Sequence, residues 1–557
     1  MDDQKRLFTA IILSIVVIVG WNFFFVDSKP VPEKPDQAIV SNEQPMAGKG
    51  DIAPITDPAP SQQTEIDAAQ PPATAIPTRN ARTIQVSNQF YNIAISETGA
   101  KVNSLTLNAY RETSEKDSPL KEMVSPNLTG GLFGVSLDGK SIPGLETALF
   151  TAQTPSDQLN LDQGKKSLTF TWTSAQGVVV EKIFTFSADS YLIGFDLVLK
   201  NSSGMPMKDS FMVEIPGIID EKNARFSFEG PTTLINDKLE EIKAKKIAEK
   251  DTYEGQIQWA GYTDRYFMSC LIPQAPTEAK VKLSFDSPVV TTRYVQSMER
   301  LDPGKQVTYS FSLFMGPKSL KLLSSYGNNL KKAINFGWFD ILAKPCLMGM
   351  NLIHGLIPNY GIAIMLLTLL IKLIFWPLGT KSYRSMNDMK KLQPLMMEMR
   401  EKYKGDKQRM NQEVMGLYKT YKVNPMSGCL PMIVQMPIFF ALYRMLYQAI
   451  ELRHAPFMWW INDLSAPDRL FHFDFAIPFM QAPYGIPVLT IIMGATMFLQ
   501  QKMSPSTGDP TQAKMMMLMP LFMTFIFINF PAGLVLYWLV NNVLSIGQQY
   551  YIQKKFA

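Results

Sequence analysis

A lysine lies inside one of the most apolar stretches of the chain. The stretch YGIAIMLLTLLIKLIFWPL runs from Tyr360 to Leu378 and places Lys372 among leucines and isoleucines. An ammonium group at the centre of a membrane helix costs about 2.5–3.5 kcal/mol on insertion scales, and intramembrane charges commonly serve a function. Thr368 lies four residues earlier and therefore shares a helix face with Lys372. The alternative is a lysine whose stem extends to the headgroups, since Pro377 follows five residues later.

Polar side chains recur in two other apolar stretches. Gln435 lies nine residues inside the stretch 426–448, and Asn541 and Asn542 lie near the middle of 534–552. Polar groups from three helices at a comparable depth can line one hydrated cavity. The alternative is that they form scattered hydrogen bonds between helices.

Histidine and cysteine are too scarce for most catalytic or metal chemistry. The three histidines are His354, His454 and His472, and residues 81–320 contain none. The three cysteines lie far apart without metal-ligand spacing, so neither a disulfide framework nor a zinc site is expected. No phosphate-binding loop motif occurs, so nucleotide hydrolysis is not expected. The sequence therefore predicts no cofactor, no metal and no enzymatic activity.

The apolar residues are segregated along the 557-residue chain. Residues 27–320 are mostly polar or alternating in hydrophobicity, whereas residues 350–551 are rich in Met, Phe, Leu and Ile. This asymmetry predicts a soluble module joined to a membrane module.

A further apolar run, 7–26, follows Lys5 and Arg6 at the N-terminus. Its 20 residues match the thickness of a bilayer core, and no small-residue cleavage site follows it. We predict an uncleaved transmembrane anchor over residues 1–26, with its N-terminus in the cytoplasm. Residues 27–80 are rich in Pro, Ala, Gln and Asp and are predicted to be a disordered tether.

Hydrophobic residues alternate with a period of two between residues 81 and 320. SLTFTWTS and YLIGFDLVLKN are typical, and turn sequences such as SETG, LDGK, NSSG and LDPGK separate these runs. The pattern predicts a large antiparallel β-sandwich over 81–320, with one helical insertion at 236–251. A carbohydrate-active enzyme is disfavoured, because this region lacks histidine and a prominent pair of carboxylates. A binding or structural module is favoured.

Five apolar runs follow this domain. After an amphipathic interfacial helix at 321–357, the predicted spans lie at about 361–378, 426–448, 484–501, 515–530 and 534–552, within a core of residues 358–552. The loop 379–425 carries eleven Lys and Arg residues against five Asp and Glu, whereas 449–482 carries two against four. The positive-inside rule puts 379–425, the N-terminus and the tail 553–557 in the cytoplasm and the β domain outside.

The basic loop 379–425 is itself predicted to be an antiparallel helical hairpin. Apolar residues recur there at helical spacing, at Met389, Leu392, Met396, Met399, Tyr403, Met410, Val414, Leu417 and Tyr421. This Met-rich stripe either packs within the hairpin or forms an adaptable docking surface for apolar partners.

Several segments are similar to those of a known family. KVNPMSGCLPMIVQMPIFFALYRML, MFLQQKMSP, FPAGLVLYW and LQPLMMEMREKYKGDKQRMNQEVMGLYK resemble the Gram-negative form of the Oxa/Alb/YidC family of membrane protein insertases. The resemblance covers essentially the whole chain. It implies an N-terminal anchor helix, a large periplasmic β-sandwich and a five-helix core. It also implies a protein that inserts and folds integral membrane proteins in the bacterial inner membrane, alone or with the Sec translocon.

The resemblance implies the residues of a substrate groove that opens to the cytoplasm and to lipid. The cationic position of this groove falls on Lys372, with Thr368 one turn earlier and Gln435 on the next span. Tyr537 and Trp538 fall where the last span of the family contacts substrate. The usual cation is arginine, so lysine here favours charge attraction over forked recognition of a carboxylate.

The resemblance also implies partners. These are nascent membrane proteins, the lipid bilayer, the Sec translocon through the periplasmic domain and core, and the ribosome or targeting factors. Because the tail QKKFA is short, ribosome contact is expected at the loops 379–425 and 502–514. No specific nucleic acid is expected. The main alternative is a transporter or channel in which Lys372 binds an anionic solute, but no repeat relates the two halves of the span set.

Overall fold

Strands occupy the first part of the described chain and helices the second. The computed structural model describes residues 80–128, 130–220, 227–421, 423, 430–503 and 510–556. The predicted anchor, and the predicted tether apart from its last residue, lie outside the described residues.

The described residues contain twenty strands, of which the first eighteen precede most of the helices. They are β1 Thr83–Ser87, β2 Tyr91–Ser96, β3 Lys101–Arg111, β4 Leu120–Glu122, β5 Gly134–Leu137, β6 Thr151–Ala152, β7 Gln158–Asn160, β8 Lys165–Thr173, β9 Val178–Ser187, β10 Leu192–Asn201, β11 Ser210–Ile218, β12 Gly230–Ile235, β13 Lys238–Glu241, β14 Thr252–Thr263, β15 Phe267–Pro273, β16 Thr277–Asp286, β17 Val289–Ser297, β18 Gln306–Pro317, β19 Leu470–Phe473 and β20 Tyr484–Ile486.

The helices are concentrated after the last strand of the β domain. They are α1 Ala244–Ile247, α2 Leu320–Ser325, α3 Asp340–Leu356, α4 Tyr360–Ile374, α5 Trp376–Lys402, α6 Lys407–Thr420, α7 Leu430–Gln448, α8 Val488–Met503, α9 Pro510–Phe527 and α10 Ala532–Phe556.

Strands β1 to β18 form two sheets. One has the order β4-β3-β2-β1-β7, and the other β5-β11-β17-β16-β14-β15-β18-β10-β9-β8-β6, with β12 and β13 attached through β14. The pairing is antiparallel except between β1 and β7. Strand β9 shows why the sequence forms a sheet, because its residues alternate strictly between buried and partly exposed. The buried faces include Phe195, Phe211 and Trp259. The predicted antiparallel β-sandwich with a helical core is confirmed.

The predicted helical insertion at 236–251 is wrong in its first half. Asn236 and Asp237 have φ angles of 48° and 63° and connect β12 to β13 in a two-residue turn. Asn and Asp tolerate the left-handed backbone that such hairpin turns require. The charged segment KLEE therefore forms a partly exposed strand, and only α1 in the second half is helical.

The region predicted as one interfacial helix, 321–357, contains several shorter elements. Helix α2 is followed by 3-10 turns at Leu330–Ala333 and Gly337–Phe339 and then by α3. One side of α3 is apolar and exposed, at Ile341, Met348, Leu352 and Leu356.

Helices α4 and α5 form a pair bent by 66° at Phe375. This pair together is long and apolar enough to cross a membrane, whereas no single helix of the described ranges meets both criteria. Pro377 lies in the first turn of α5, where its missing amide hydrogen costs no helical hydrogen bond. The bend redirects the chain from the apolar α4 into the basic hairpin.

Helices α5 and α6 form a hairpin in the region predicted for one. Part of the Met-rich stripe is buried there, at Met389, Leu392 and Met396. The Tyr418 hydroxyl on α6 lies 3.4 Å from the Met396 sulfur on α5. Part of the stripe thus packs within the hairpin, while Met397 and Met415, which lie outside the stripe, and Tyr421 at its end are exposed.

Helix α10 is the central element of the helical core, since it packs against α4, α5, α7 and α8. Helix α8 also packs against α9. Their approach is close at Gly494, where a Cβ atom would lie 2.1 Å from the Thr524 hydroxyl oxygen. These contacts position the polar residues of α10 beside three neighbouring helices.

Candidate functional site

Polar side chains form a stripe along α10. They recur every three or four residues, at Asn541, Asn542, Ser545, Gln548 and Gln549, and therefore lie on one side of the helix. All but Asn541 are buried. A buried polar group in a membrane core needs a hydrogen-bond partner, so the stripe dictates how the neighbouring helices pack.

Lys372 on α4 contacts this stripe. Its ammonium nitrogen donates to the Ser545 hydroxyl oxygen at 2.7 Å. The Ser545 hydroxyl in turn donates to the Asn541 carbonyl oxygen at 2.6 Å. Among the described residues no carboxylate forms an ion pair with Lys372. Lys372 is therefore hydrogen-bonded, but no acidic side chain in the described part of the chain balances its charge.

Gln435 on α7 joins the same site. Its side-chain nitrogen donates to the Asn541 side-chain oxygen at 3.1 Å. The structure thus brings Lys372, Gln435 and Asn541 together, although they come from three separate stretches of sequence. We call Lys372, Gln435, Asn541 and Ser545 the groove network.

Asn542 faces a different neighbour. Its side-chain nitrogen donates to the Thr496 hydroxyl oxygen on α8 at 3.3 Å. Asn542 therefore links α10 to α8 and serves helix packing, as the interpretation of interhelical hydrogen bonds predicts.

Thr368 occupies a less accessible position than its spacing suggests. It shares a side of α4 with Lys372, but its side chain is buried. Its hydroxyl donates to the Ile364 carbonyl oxygen of its own helix at 2.7 Å. This bond to the preceding turn satisfies the hydroxyl locally. Thr368 thus lies on the same side of α4 as Lys372, but its hydroxyl bonds within its own helix.

Tyr537 and Trp538 lie one turn before Asn541 in an aromatic cluster. Tyr537 is buried, and its ring stacks on Phe439 of α7 at a centroid distance of 6.4 Å. Trp538 is partly exposed and meets Phe439 and Phe527 edge-on, each at 4.7 Å. Of the two side chains, Trp538 is the more exposed.

A loop between α7 and α8 covers one end of this core. The Gly533 amide at the start of α10 donates to the Leu464 carbonyl oxygen at 2.8 Å. Asn359, which caps α4, donates to the Phe457 carbonyl oxygen at 2.9 Å. The Phe457 ring also lies where a Cβ atom of Gly361 would be, so only glycine fits there. The loop therefore closes the core over the starts of α4 and α10.

Two glutamines secure the opposite end of the core. Gln548 donates to the Trp376 carbonyl oxygen at 3.1 Å, and Gln549 donates to the Met503 carbonyl oxygen at 2.9 Å. Sequence reasoning missed Ser545, Gln548 and Gln549. Their spacing from Asn541 by three to four residues is the signal that identifies them.

The groove network suits non-covalent binding. It offers one cation, a hydroxyl and amide groups, which can attract and hydrogen-bond polar or acidic groups. In the described ranges no three His, Cys, Asp or Glu side chains are grouped as metal ligands.

Comparisons with known proteins agree over the whole chain. The family described as 60Kd inner membrane protein matches residues 352–557, and the YidC periplasmic domain matches residues 83–348. A membrane protein insertase YidC from Pelobacter propionicus is 40% identical over 99% of both chains. One from Syntrophus aciditrophicus is 39% identical over 99% of this chain and 100% of its own.

A solved structure is also similar. It is described as an active YidC insertase with the first transmembrane domain resolved, is 18% identical and covers 85% of this chain and 93% of its own, with a TM-score of 0.37. At 40% identity over the full length of a relative, the family is clear. The chain belongs to the YidC family of membrane protein insertases, which are inner membrane proteins with a periplasmic domain.

Proposed function

We propose that this insertase moves the polar part of a substrate through the groove network while the apolar part passes into lipid. One observation carries this proposal. The Ser545 hydroxyl holds the ammonium group of Lys372 in place, and no carboxylate of the described residues pairs with it. An acidic or polar segment entering from the cytoplasm is attracted to this charge. The partly exposed amides of Gln435 and Asn541 keep the route hydrated and shorten the apolar path across the membrane.

The exposed faces of the core provide the exit into lipid. Large apolar side chains are exposed on α4 and α9, at Leu369, Leu370, Leu373, Ile374, Leu518, Leu521, Phe522 and Phe525. An apolar substrate segment that leaves the groove along these faces gains about 25 cal/mol for each Å² removed from water. Hydrophobic transfer then supplies the free energy for insertion without nucleotide hydrolysis.

We infer six spans, formed by residues 1–26 and by α4, α7, α8, α9 and α10. The charge difference between 379–425 and 449–482 supports a cytoplasmic hairpin and a periplasmic α7–α8 loop. In this topology the groove is closed at its periplasmic end and both chain termini are cytoplasmic. Labelling single cysteines in 379–425 and 449–482 with a membrane-impermeant reagent in spheroplasts tests it. The topology predicts labelling in 449–482 only, and labelling in 379–425 alone would overturn it.

Photocrosslinking tests the route. A photoreactive residue at Gln435 or Trp538 is expected to capture a stalled nascent membrane protein, whereas one at Phe285 on the β domain is not. Buried Tyr537 and Thr368 are expected to capture less. If small anionic solutes protect Gln435 and no nascent chain is captured, the alternative of a solute transporter replaces the proposal.

Substitution of Lys372 tests the charge. In cells depleted of the native protein, Lys372→Arg is expected to support insertion, and Lys372→Met to reduce it several-fold. Lys381→Met removes an exposed lysine from α5 and is the matched control. Equal insertion by all three variants would mean that Lys372 simply extends to the headgroups.

We also infer contacts with the translation and translocation machinery. Exposed cations on the hairpin, such as Lys390, Arg409 and Lys419, support ribosome binding there, assisted by the loop 502–514. The periplasmic domain and the core are expected to contact the Sec translocon. Charge reversal at the three cations should abolish salt-sensitive cosedimentation with ribosomes. Unchanged cosedimentation would remove the hairpin as the contact.

A further inference from the structure

The loop between α7 and α8 exposes large aromatic side chains. Phe471, Phe475 and Phe479 are 67%, 64% and 86% exposed. They lie within residues 470–483, which we call the aromatic loop, and its charged residues are limited to Asp474. Several large, exposed apolar side chains in one short segment are typical of an interaction site.

The aromatic loop is held in a fixed conformation. The buried guanidinium of Arg469, at its start, donates to the Pro483 and Ile528 carbonyl oxygens, each at 2.9 Å. Asn529, in the turn between α9 and α10, donates to the Phe479 carbonyl oxygen at 2.8 Å. Both ends of the aromatic loop are therefore tied to the α9–α10 turn.

The backbone of the aromatic loop is strained where its rings point outward. Phe471 and Phe479 have φ angles of 53° and 64°, in the left-handed region that bulky residues rarely adopt. Such conformations persist where the surrounding structure fixes them, and they cluster at functional positions. The bonds from Asn529 and Arg469 supply that constraint. The exposure of these rings is thus a built feature of the fold.

The aromatic loop continues the lipid-facing surface of the core. The apolar face of α9 includes Leu521, Phe522, Phe525 and Ile526 and leads directly to the turn that holds Phe479. Ile491 and Ile492 extend the same kind of surface on α8, which follows the loop. A surface continuous with these helix faces, and almost without charge, matches a bilayer better than a soluble partner.

We propose that the aromatic loop inserts into the outer leaflet of the membrane, with Phe471, Phe475 and Phe479 at the boundary between headgroups and acyl chains. Aromatic rings are enriched at this depth. Because the same α7–α8 loop closes the core, lipid contact would hold that end shut while the cytoplasmic end stays open to substrate. The inference rests on the proposed topology for the identity of the leaflet.

Depth measurement in vesicles tests the proposal. The native cysteines are replaced by alanine, and single cysteines at Phe471, Phe475 or Phe479 carry an environment-sensitive fluorophore. The full chain is reconstituted in vesicles of phosphatidylethanolamine and phosphatidylglycerol. Phe522→Cys on the outer face of α9 is the lipid control, and Phe285→Cys, an exposed position on β16, is the aqueous control.

The three labels are expected to behave like the Phe522 label. Their emission should be blue-shifted, and quenching by iodide should be several-fold weaker than at Phe285. Phe475 has no positive φ in this structure, so its label does not depend on a strained position. Iodide quenching equal to that at Phe285, or protection only after a purified translocon is added, would overturn the proposal.

The two proposals can fail separately. Iodide placed on one side of the membrane shows which leaflet holds the labels. Residual quenching by cytoplasmic iodide alone would preserve the lipid contact and overturn the topology. Capture of nascent chains at Gln435 checks that each labelled variant retains a folded groove.

Discussion

At the scale of single residues, the Ser545 hydroxyl determines how Lys372 is held. It accepts a hydrogen bond from the lysine at 2.7 Å and donates to Asn541 at 2.6 Å. Ser545→Ala leaves the half-buried ammonium group of Lys372 without this acceptor, which costs about 1–3 kcal/mol of unfolding free energy. In a Lys372→Met background, Ser545→Ala should lower the unfolding free energy by less. The difference between the two backgrounds is the coupling energy of Lys372 and Ser545, about 0.5–3 kcal/mol. Unfolding in mixed micelles by titration with dodecyl sulfate measures both values.

Thr380→Ala is the matched control for this cycle. The Thr380 hydroxyl donates to the Trp376 carbonyl oxygen on α5. Its loss should add to that of Lys372→Met without coupling. Equal losses from Ser545→Ala in both backgrounds would show that the bond to Lys372 contributes nothing to stability.

Lys182 is a buried lysine in the β domain and makes stability depend on pH. Its side chain is fully buried, its ammonium nitrogen donates to the Gly99 carbonyl oxygen at 2.6 Å, and burial lowers its pKa well below the usual value. Above this lowered pKa and below about 10.4 the unfolded chain binds more protons than the folded one. Stability should therefore rise with pH across this window.

The substitution Lys182→Met tests that expectation. Methionine has a similar shape and no titrating group, so the rise of the unfolding temperature with pH should become flatter. Lys280→Met, which removes a partly exposed lysine paired with Glu254, should leave the slope nearly unchanged. Thermal unfolding of the full chain in detergent between neutral and alkaline pH measures the slope. An unchanged slope in Lys182→Met would assign the pH dependence to other groups.

At the scale of elements, Gly494 sets the distance between α8 and α9. A Cβ atom there would lie 2.1 Å from the Thr524 hydroxyl oxygen, so Gly494→Ala must displace the side chain or the helix. Overpacking of this kind costs typically 1–3 kcal/mol. Gly547→Ala on α10 meets no atom within 4 Å and is expected to be neutral or stabilising. Unfolding in mixed micelles compares the two.

A compensating variant separates this contact from a general effect of alanine. Thr524→Ala removes the hydroxyl oxygen, so the pair Gly494→Ala and Thr524→Ala should recover part of the stability. If the double variant is no more stable than the sum of the single variants predicts, the close contact does not limit the packing of α8 on α9.

Elements in which hydrophobic residues recur at a regular spacing were predictable from the sequence. The alternation in 192–201 gave β10, and the helical spacing of methionines gave the α5–α6 hairpin. The helix predicted at 236–251 was wrong for a local reason. Asn236 and Asp237 form a turn, and the charged residues after them suit a solvent-facing strand as well as a solvent-facing helix. The bend at Phe375 was also missed, since no single residue type marks it.

The site was only partly predictable. Lys372 was identified because a lysine is rare in an apolar helix. Gln435 and Asn541 were linked to it because all three lie at a comparable depth in their predicted membrane spans. Ser545 was missed, because a serine is common in apolar helices and only the fold brings it to 2.7 Å from Lys372. Thr368 illustrates the opposite error, since a shared helix face does not reveal that its hydroxyl bonds to Ile364.

At the scale of the whole molecule, two arginines join the β domain to the helical core in opposite directions. Arg265, between β14 and β15, donates to the Tyr447 carbonyl oxygen near the end of α7 at 2.7 Å and lies 3.8 Å from the Tyr447 ring centroid. Arg453, after α7, donates to the Arg111 and Glu112 carbonyl oxygens at 2.6 and 3.1 Å. Each guanidinium thus binds backbone carbonyls of the other domain, which a lysine could not do with the same stacking.

We expect these two sets of contacts to fix the orientation of the β domain on the helical core. The double variant Arg265→Met and Arg453→Met should let the domain move on the core, because both sets of carbonyl bonds are lost. Spin labels at Phe285 on the β domain and Phe522 on α9 should give a narrow distance distribution in the native chain and a broader one in the variant. Arg293→Met breaks a 2.8 Å bond to Glu214 within the β domain and should lower its unfolding temperature without broadening the distribution. An equally narrow distribution in the double variant would mean that the remaining contacts and the chain connection through α2 and α3 suffice to orient the domain.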